Sequence, residues 1–488
     1  MSSHSPSTDA YGRDTAAERA VPRPSQRRID PLARLGFLQG HGAHDVSLRV
    51  MLLTSSLGSG HMMASRALDA ALQEQNPGME IETVDFWSLM APEVADAVRQ
   101  AYLAILVEEP ELYDRVYRLG QDTWLSLFDA SEALPPQLEA FIDRFCVRVT
   151  QPTGASAGPA TGESYPSDRL LMRYLNASLA RRRRHGVAAR ALLRPVLSHW
   201  IWARLSRRLE ERVNAFVPHA VIATQMGPAA LLAAIRYRRR LRLPLIAVPT
   251  DFGLHEFWLQ RGVDCFCVAH ETVTRPALPG ERLVRVTGLP LMPGFRHLPV
   301  RQAARAALGL CLELPVVLVA GGGLGIGVRE LSERIVAEVP GVIVIAVNGR
   351  KNEPPAGEQL WPPGRLIQYG WTDRMPMLLC AADLVVGKPG GLTVAESLAC
   401  GRYLLAINSP GGQEDFNVRF LARHGAGELV STEDVGVRLR TLLADPDQLA
   451  QLQSRASELG RRDGAMQIAA LALDAAREGR EVVAGACR

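Results

Sequence analysis

The chain has 488 residues, enough for two or three domains at roughly 150 residues each. Hydrophobic residues make up 47% and charged residues 22%, with 42 Gly and 32 Pro, a balance that excludes a disordered, collagen-like or coiled-coil chain. A net charge of +4 is too small for this length to imply a nucleic-acid partner.

Residues 1–44 are rich in Ser, Pro, Arg and Gly without periodicity and read as a flexible tail; having no apolar run, they argue against a secretory leader. VSLRVMLLTSS is the first apolar run of strand length. It ends in Leu57-Gly58-Ser59-Gly60-His61, and MMASRALDAALQEQ then has helical spacing up to Asn76-Pro77-Gly78. IETVDFW supplies a second strand, so the chain opens as strand, loop, helix, strand, the signature of a parallel sheet.

Residues 91–150 read as helices with interleaved aromatics, and QPTGASAGPATGESYPS as a low-complexity loop. A basic helical insertion is expected around 151–212. Between Asp168 and Arg212, 12 Arg face three acids, whereas the whole chain has only two lysines, Lys351 and Lys388. Its Arg mixes with Leu, Trp200, Ile201 and Trp202 as in a helix lying on an anionic membrane surface, although a solvated Arg face has the same composition. Arg236, Arg238, Arg239, Arg240 and Arg242 form a second cluster.

AVIATQM, LPLIAVPTDF, VDCFCVA and LVRVTGLP continue the strand series, and MPGFRHLPVRQ reads as a linker. PVVLVAGGG, GVIVIAVNG, RLIQYGW, ADLVVGKPGG and YLLAINSP begin a second series, and the last forty residues are helical. The predicted fold class is α/β, with two Rossmann-like doubly wound domains. Residues 45–292 form the first, 293–455 the second, and 456–488 a helix packing at their junction. The seven cysteines are scattered without a CxxC or metal-ligand spacing, as in a reduced intracellular chain, and no stretch reaches the ~20 apolar residues of a membrane span.

Three glycine-rich turns follow predicted strands. Gly58 with Gly60, and Gly321 to Gly323, can bring backbone N–H groups close to an anion at a helix N-terminus, although each also fits a plain strand-to-helix connection. Neither matches a dinucleotide or Walker pattern. In Gly387-Lys388-Pro389-Gly390-Gly391-Leu392-Thr393-Val394-Ala395-Glu396, a carboxylate one to two turns into a helix could accept both hydroxyls of a ribose. Gln413, Glu414 and Asn417 set two amides and an acid on a loop after a strand, which suits a polyhydroxyl ligand or, equally, a helix start.

In order and spacing, GSGHMMASRAL, PTDFGLHEFWLQRGVDCFCVA, VTGLPLMPGF, VAGGGLGIG, VNGRKN, QYGWTDRMPMLLCAADLVVGKPGGLTVAESLACG and PGGQEDFNVRFL make the chain resemble glycolipid glycosyltransferases. These are the processive diacylglycerol glucosyltransferases and monogalactosyldiacylglycerol synthases, from about Val46 to Asp445. The resemblance implies the GT-B fold with a cleft between two lobes, and inverting transfer of a hexose from a UDP-sugar to diacylglycerol or a related lipid. It implies no bound cofactor or metal, the nucleotide sugar being a substrate. By the same resemblance Glu396 binds ribose, Gly390, Gly391, Lys388 and Thr393 lie at the nucleotide turn, and Gly321, Gly322 and Gly323 lie near the diphosphate. Gln413, Glu414 and Asn417 complete the donor-sugar motif. Residues 91–212 match poorly.

An inverting transfer needs a base for the acceptor hydroxyl. His61 is the candidate, at a helix N-terminus that would keep its imidazole neutral. Asp251 would orient His61 or serve as the base itself, with His255 and Trp258 lining the acceptor side. The expected partners are a UDP-sugar, a lipid acceptor and an anionic membrane surface, with no nucleic acid, and the expected location is peripheral, on the cytoplasmic face of the cell membrane. The alternatives are a polyprenyl or other sugar-lipid acceptor and a non-catalytic nucleotide-sugar sensor.

Overall fold

The computed structural model describes residues 47–56, 58–90, 203–273, 283–325, 327–350, 357–361, 364–407 and 412–486, with parts of the stretch 95–144. The expected tail, and the basic insertion up to residue 202 with its tryptophans, lie outside the described residues.

Two sheets organise the rest. The first is wholly parallel, with strands in the order β2, β1, β3, β4, β5, β6. They are β1 (Arg49–Thr54), β2 (Glu80–Asp85), β3 (Ala220–Ala223), β4 (Leu245–Ala247), β5 (Cys265–Val268) and β6 (Leu283–Val286). The second has the order β13, β12, β11, β7, β8, β10, β9. It comprises β7 (Val316–Ala320), β8 (Ile343–Val347), β9 (Gly357–Trp361), β10 (Gly364–Tyr369), β11 (Leu384–Gly387), β12 (Tyr403–Ala406) and β13 (Gly427–Leu429). Only β9 runs antiparallel there, paired with β10.

The strand sequences explain the layers. β1 is buried after its first residue because a parallel strand is covered on both faces. Its alternate side chains divide between two clusters: Val50 and Leu52 pack with Leu68 and Leu72, while Met51 and Leu53 point to the opposite side. Leu68 and Leu72 lie on α1 (Ser59–Gln75), whose buried Ala64, Ser65, Leu68, Ala71 and Leu72 recur at helical spacing. Gly58 precedes it with φ 106°, a conformation reserved for glycine.

Three parts depart from expectation. β9 (GEQLW) and β13 (GEL) were not foreseen in the sequence, being short and carrying little apolar alternation. The expected linker is anchored, since Phe295 is buried in a cluster with residues from both sheets' lobes. The last helix starts at the junction, where Gly464 leaves no room for a Cβ against the Leu289 carbonyl. It then runs over the first lobe, placing Ile468, Ala469, Ala472 and Leu473 against Leu48, Val50 and Leu52. Among the described residues no helix is long and apolar enough to cross a membrane.

Strand order positions the site. In the first sheet the chain moves from β1 outward to β2, then returns to the other side of β1 as β3; in the second, β8 and β11 flank β7. The gaps between β1 and β3 and between β7 and β11 are topological switch points, where α/β sheets leave a crevice at their carboxyl ends. The loops carrying Gly58 to His61, Thr224, Gly321 to Gly323 and Lys388 to Gly391 all leave strands at these two points.

Candidate active site

His61 lies in the first turn of α1, at the β1/β3 switch point. Its Nδ1 is 2.8 Å from the Thr224 carbonyl oxygen and 3.1 Å from the Thr250 hydroxyl. A carbonyl only accepts, so Nδ1 carries the proton and Nε2 is left with its lone pair. Burial lowers the imidazole pKa to about 4, against the opposing pull of the Thr224 carbonyl. The ring is therefore neutral, as expected, but desolvation is the largest cause of the shift. Thr224 and Thr250, which position this ring, were not singled out in the sequence, although Thr250 lies within the PTDFG motif.

Asp251 follows Thr250 after β4. The expected bond from Asp251 to His61 is replaced by another arrangement: Asp251 Oδ1 accepts from Asn417 Nδ2 at 2.9 Å, and the carboxylate is also bonded to the Gly391 backbone N–H. Burial raises its pKa to about 6; the Asn417 bond works against this, Glu414 adds to it, and Lys388 and Gly391 lower it. His255 and Trp258, expected on the acceptor side, are both buried. His255 Nδ1 accepts from the Phe257 N–H at the start of a short helix, and Trp258 packs in the apolar core.

The second lobe meets these groups directly. α2 (Gly391–Ala399) begins at Gly391, where a Cβ would lie 1.8 Å from the Thr250 carbonyl oxygen, so only glycine permits this approach of the lobes. At a second contact the Gly323 N–H donates to Ser59 Oγ at 3.0 Å, joining the two predicted anion-binding loops; the sequence did not single out Ser59. Phe252 of the first lobe packs on Phe420 of the second with ring centroids 4.3 Å apart.

Glu396 stands on α2 about a turn and a half from Gly391 and is half-buried, and desolvation pushes its carboxyl pKa up to about 8. Thr393 lies one turn earlier on the same helix, its carbonyl accepting from Ser397 Oγ at 2.8 Å, and Gly390 caps the helix start. α3 (Glu414–His424) follows Gln413, whose side chain does not cap it. Glu414 is buried; its Oε1 is 2.7 Å from Lys388 Nζ, while Oε2 is buried without a hydrogen-bond partner. Desolvation raises the Glu414 pKa and the lysine opposes it. Gly412 N–H donates to Asp114 Oδ1 at 2.7 Å, tying residues 110–117 of the poorly matching region to the donor-sugar motif. Among the described residues no group of three or more His, Cys, Asp or Glu is placed to hold a metal ion.

Both lobes are similar to known proteins. Residues 181–291 match the family described as Monogalactosyldiacylglycerol (MGDG) synthase, and residues 317–468 match the Glycosyltransferase family 28 C-terminal domain. The processive diacylglycerol beta-glucosyltransferase of Bacillus subtilis (strain 168) is 29% identical over 267 residues, 52% of this chain and 68% of that protein. The enzyme of the same name from Bacillus pumilus (strain SAFR-032) is 26% identical over 264 residues, with the same coverage. The crystal structure of Acinetobacter baumannii MurG, 14% identical, aligns with a TM-score of 0.51 over 88% of this chain and all of that one. The architecture is the GT-B fold, and the resemblance to glycolipid glycosyltransferases extends over both lobes.

Proposed function

We propose that this chain, with a glycosyltransferase domain match in each lobe, transfers a hexose from a UDP-sugar to diacylglycerol or a related membrane lipid, with inversion at the anomeric carbon. The observation that carries the reading is the meeting of the switch-point loops. His61, Thr250 and Asp251 of the first lobe lie where Gly391, Asn417 and the start of the Glu396 helix project from the second.

In this reading Glu396 accepts the ribose hydroxyls beside the turn at Gly390, Gly391 and Thr393. The buried, unpartnered Glu414 Oε2 is an acceptor that a sugar hydroxyl would satisfy, Gln413 lies beside it, and Lys388 offsets its charge. The N–H groups of Gly321 to Gly323 face the diphosphate, with Gly323 released from Ser59 when the donor binds. The acceptor oxygen attacks the anomeric carbon, the bond from that carbon to the diphosphate oxygen breaks, and the hydroxyl proton passes to a base. Asp251, with a pKa of about 6, is better matched to neutral pH than His61 at about 4, so Asp251 is the base and His61 the weaker second group at the same place.

The acceptor reading draws on the names of the relatives, both diacylglycerol glucosyltransferases. Contact with an anionic membrane surface is supported by exposed Tyr237 amid exposed Arg238, Arg239 and Arg240. Incubation with a panel of UDP-sugars and mixed lipid vesicles, with products identified by mass, tests the proposal. A glycolipid product is expected; failure with every donor while UDP still binds would leave a nucleotide-sugar-binding protein without transfer.

A further inference from the structure

Asn417 has no exposed surface, and two of its three hydrogen bonds cross the seam between the lobes. Oδ1 accepts from the Phe252 N–H at 2.8 Å, while Nδ2 donates to Asp251 Oδ1 at 2.9 Å and to the Pro389 carbonyl at 3.0 Å. Flipping the amide would set donor against donor and acceptor against acceptor, so the network admits one orientation. Both amide protons are thus used inside the protein. The motif that made Asn417 a sugar contact in the sequence places it instead behind Asp251.

The three groups that favour the charged form of Asp251, the Asn417 amide, the Lys388 ammonium and the Gly391 N–H, all come from the second lobe. Burial and the Glu414 carboxylate disfavour the charge, and His61, reached through Thr250, is neutral. With the lobes apart the carboxylate would be hydrated and a weak base. Closing the seam removes water and makes the carboxylate more basic, and without donors from the second lobe it would take up a proton.

We propose that Asn417 is a positioning residue that lets Asp251 be enclosed between the lobes and still stand ready, ionised, as the base. The inference rests on the reading of Asp251 as the base of the proposed transfer. It adds that the second lobe, which holds the donor, also sets the basicity of the first-lobe group that serves the acceptor.

The test is the pH dependence of kcat/KM in wild type, Asn417→Ala and Asn417→Asp. Loss of the amide should move the acidic limb to higher pH; for a one-unit move from about 6, Asn417→Ala loses about threefold more activity at pH 6.5 than at pH 8.5. Asn417→Asp sets a second acid against Asp251 and should move the limb further. An equal loss at every pH would reduce Asn417 to a structural tie, and a raised donor KM with an unmoved limb would return it to the donor site; either overturns the proposal. Should the Ala variant fail to fold, Asn417→Ser, with a shorter donor and acceptor, takes its place. A titration of Asp251 by NMR in the full chain carrying 13C-carboxyl aspartate, assigned with Asp251→Asn, needs no turnover. An upward-shifted midpoint in the Asn417 variants supports the inference even if no UDP-sugar is used, and an unshifted midpoint overturns it even if transfer occurs.

Discussion

The Thr250 carbonyl oxygen of the first lobe lies where a Cβ on Gly391 of the second would stand, 1.8 Å away. The residue that starts the Glu396 helix is therefore the one that lets the lobes close over His61 and Asp251. Gly391→Ala should hold the lobes apart. Turnover is expected to fall at least tenfold, as for a small misplacement of reacting groups, and small-angle scattering should report a larger radius of gyration. Normal turnover would show that the seam does not close during the reaction.

The base can be identified from one pH profile. A base works deprotonated, so activity falls as pH drops through its pKa. An acidic limb of kcat/KM near 6 identifies Asp251, whereas a limb near 4 identifies His61.

His61→Ala removes a neutral ring held by Thr224 and Thr250. The expected loss in kcat is about 100-fold, at the lower end for a proton-transfer group, with UDP affinity nearly unchanged by calorimetry. If both fall together, His61 serves donor binding.

Glu396, with its pKa raised to about 8, is protonated in the folded protein at pH 7. Ribose hydroxyls donate to a carboxylate and favour its charged form, so UDP binding should release up to about one proton at pH 7. Calorimetry in two buffers of different ionisation enthalpy measures it, and proton uptake would reverse the assignment. Because the folded pKa lies above the unfolded one, Glu396 contributes stability at acid pH that is lost as pH rises toward 8, a trend that Glu396→Gln should flatten.

The last helix is a structural part of the first lobe, with Ile468 wholly buried against the sheet. Ile468→Ala should cost about 2–5 kcal/mol in denaturant unfolding. A cost under 1 kcal/mol would mean that the helix is only loosely docked.

Most of the eleven strands legible in the sequence are parallel strands buried on both faces, which read as continuous Val, Ile and Leu runs such as VVLVA and IVIAV. The two that were missed, GEQLW and GEL, lie at the sheet edges, where one side is unpaired and apolar patterning is weak. The glycine turns, His61, Asp251 and Glu396 could likewise be read from residue type and distance to a strand end.

Sequence alone determined the two-lobed α/β architecture and the short list of groups able to do chemistry, since periodicity and turn residues act locally. The tertiary structure decided their partners. Asn417 and Asp251 are 166 residues apart, and nothing local pairs them. Likewise, that Thr224 rather than Asp251 holds His61, that His255 and Trp258 turn inward, and that burial sets three acid and base strengths follow only from which surfaces meet. Hydrogen-bond pairing and desolvation depend on that meeting and leave no periodic trace in the chain.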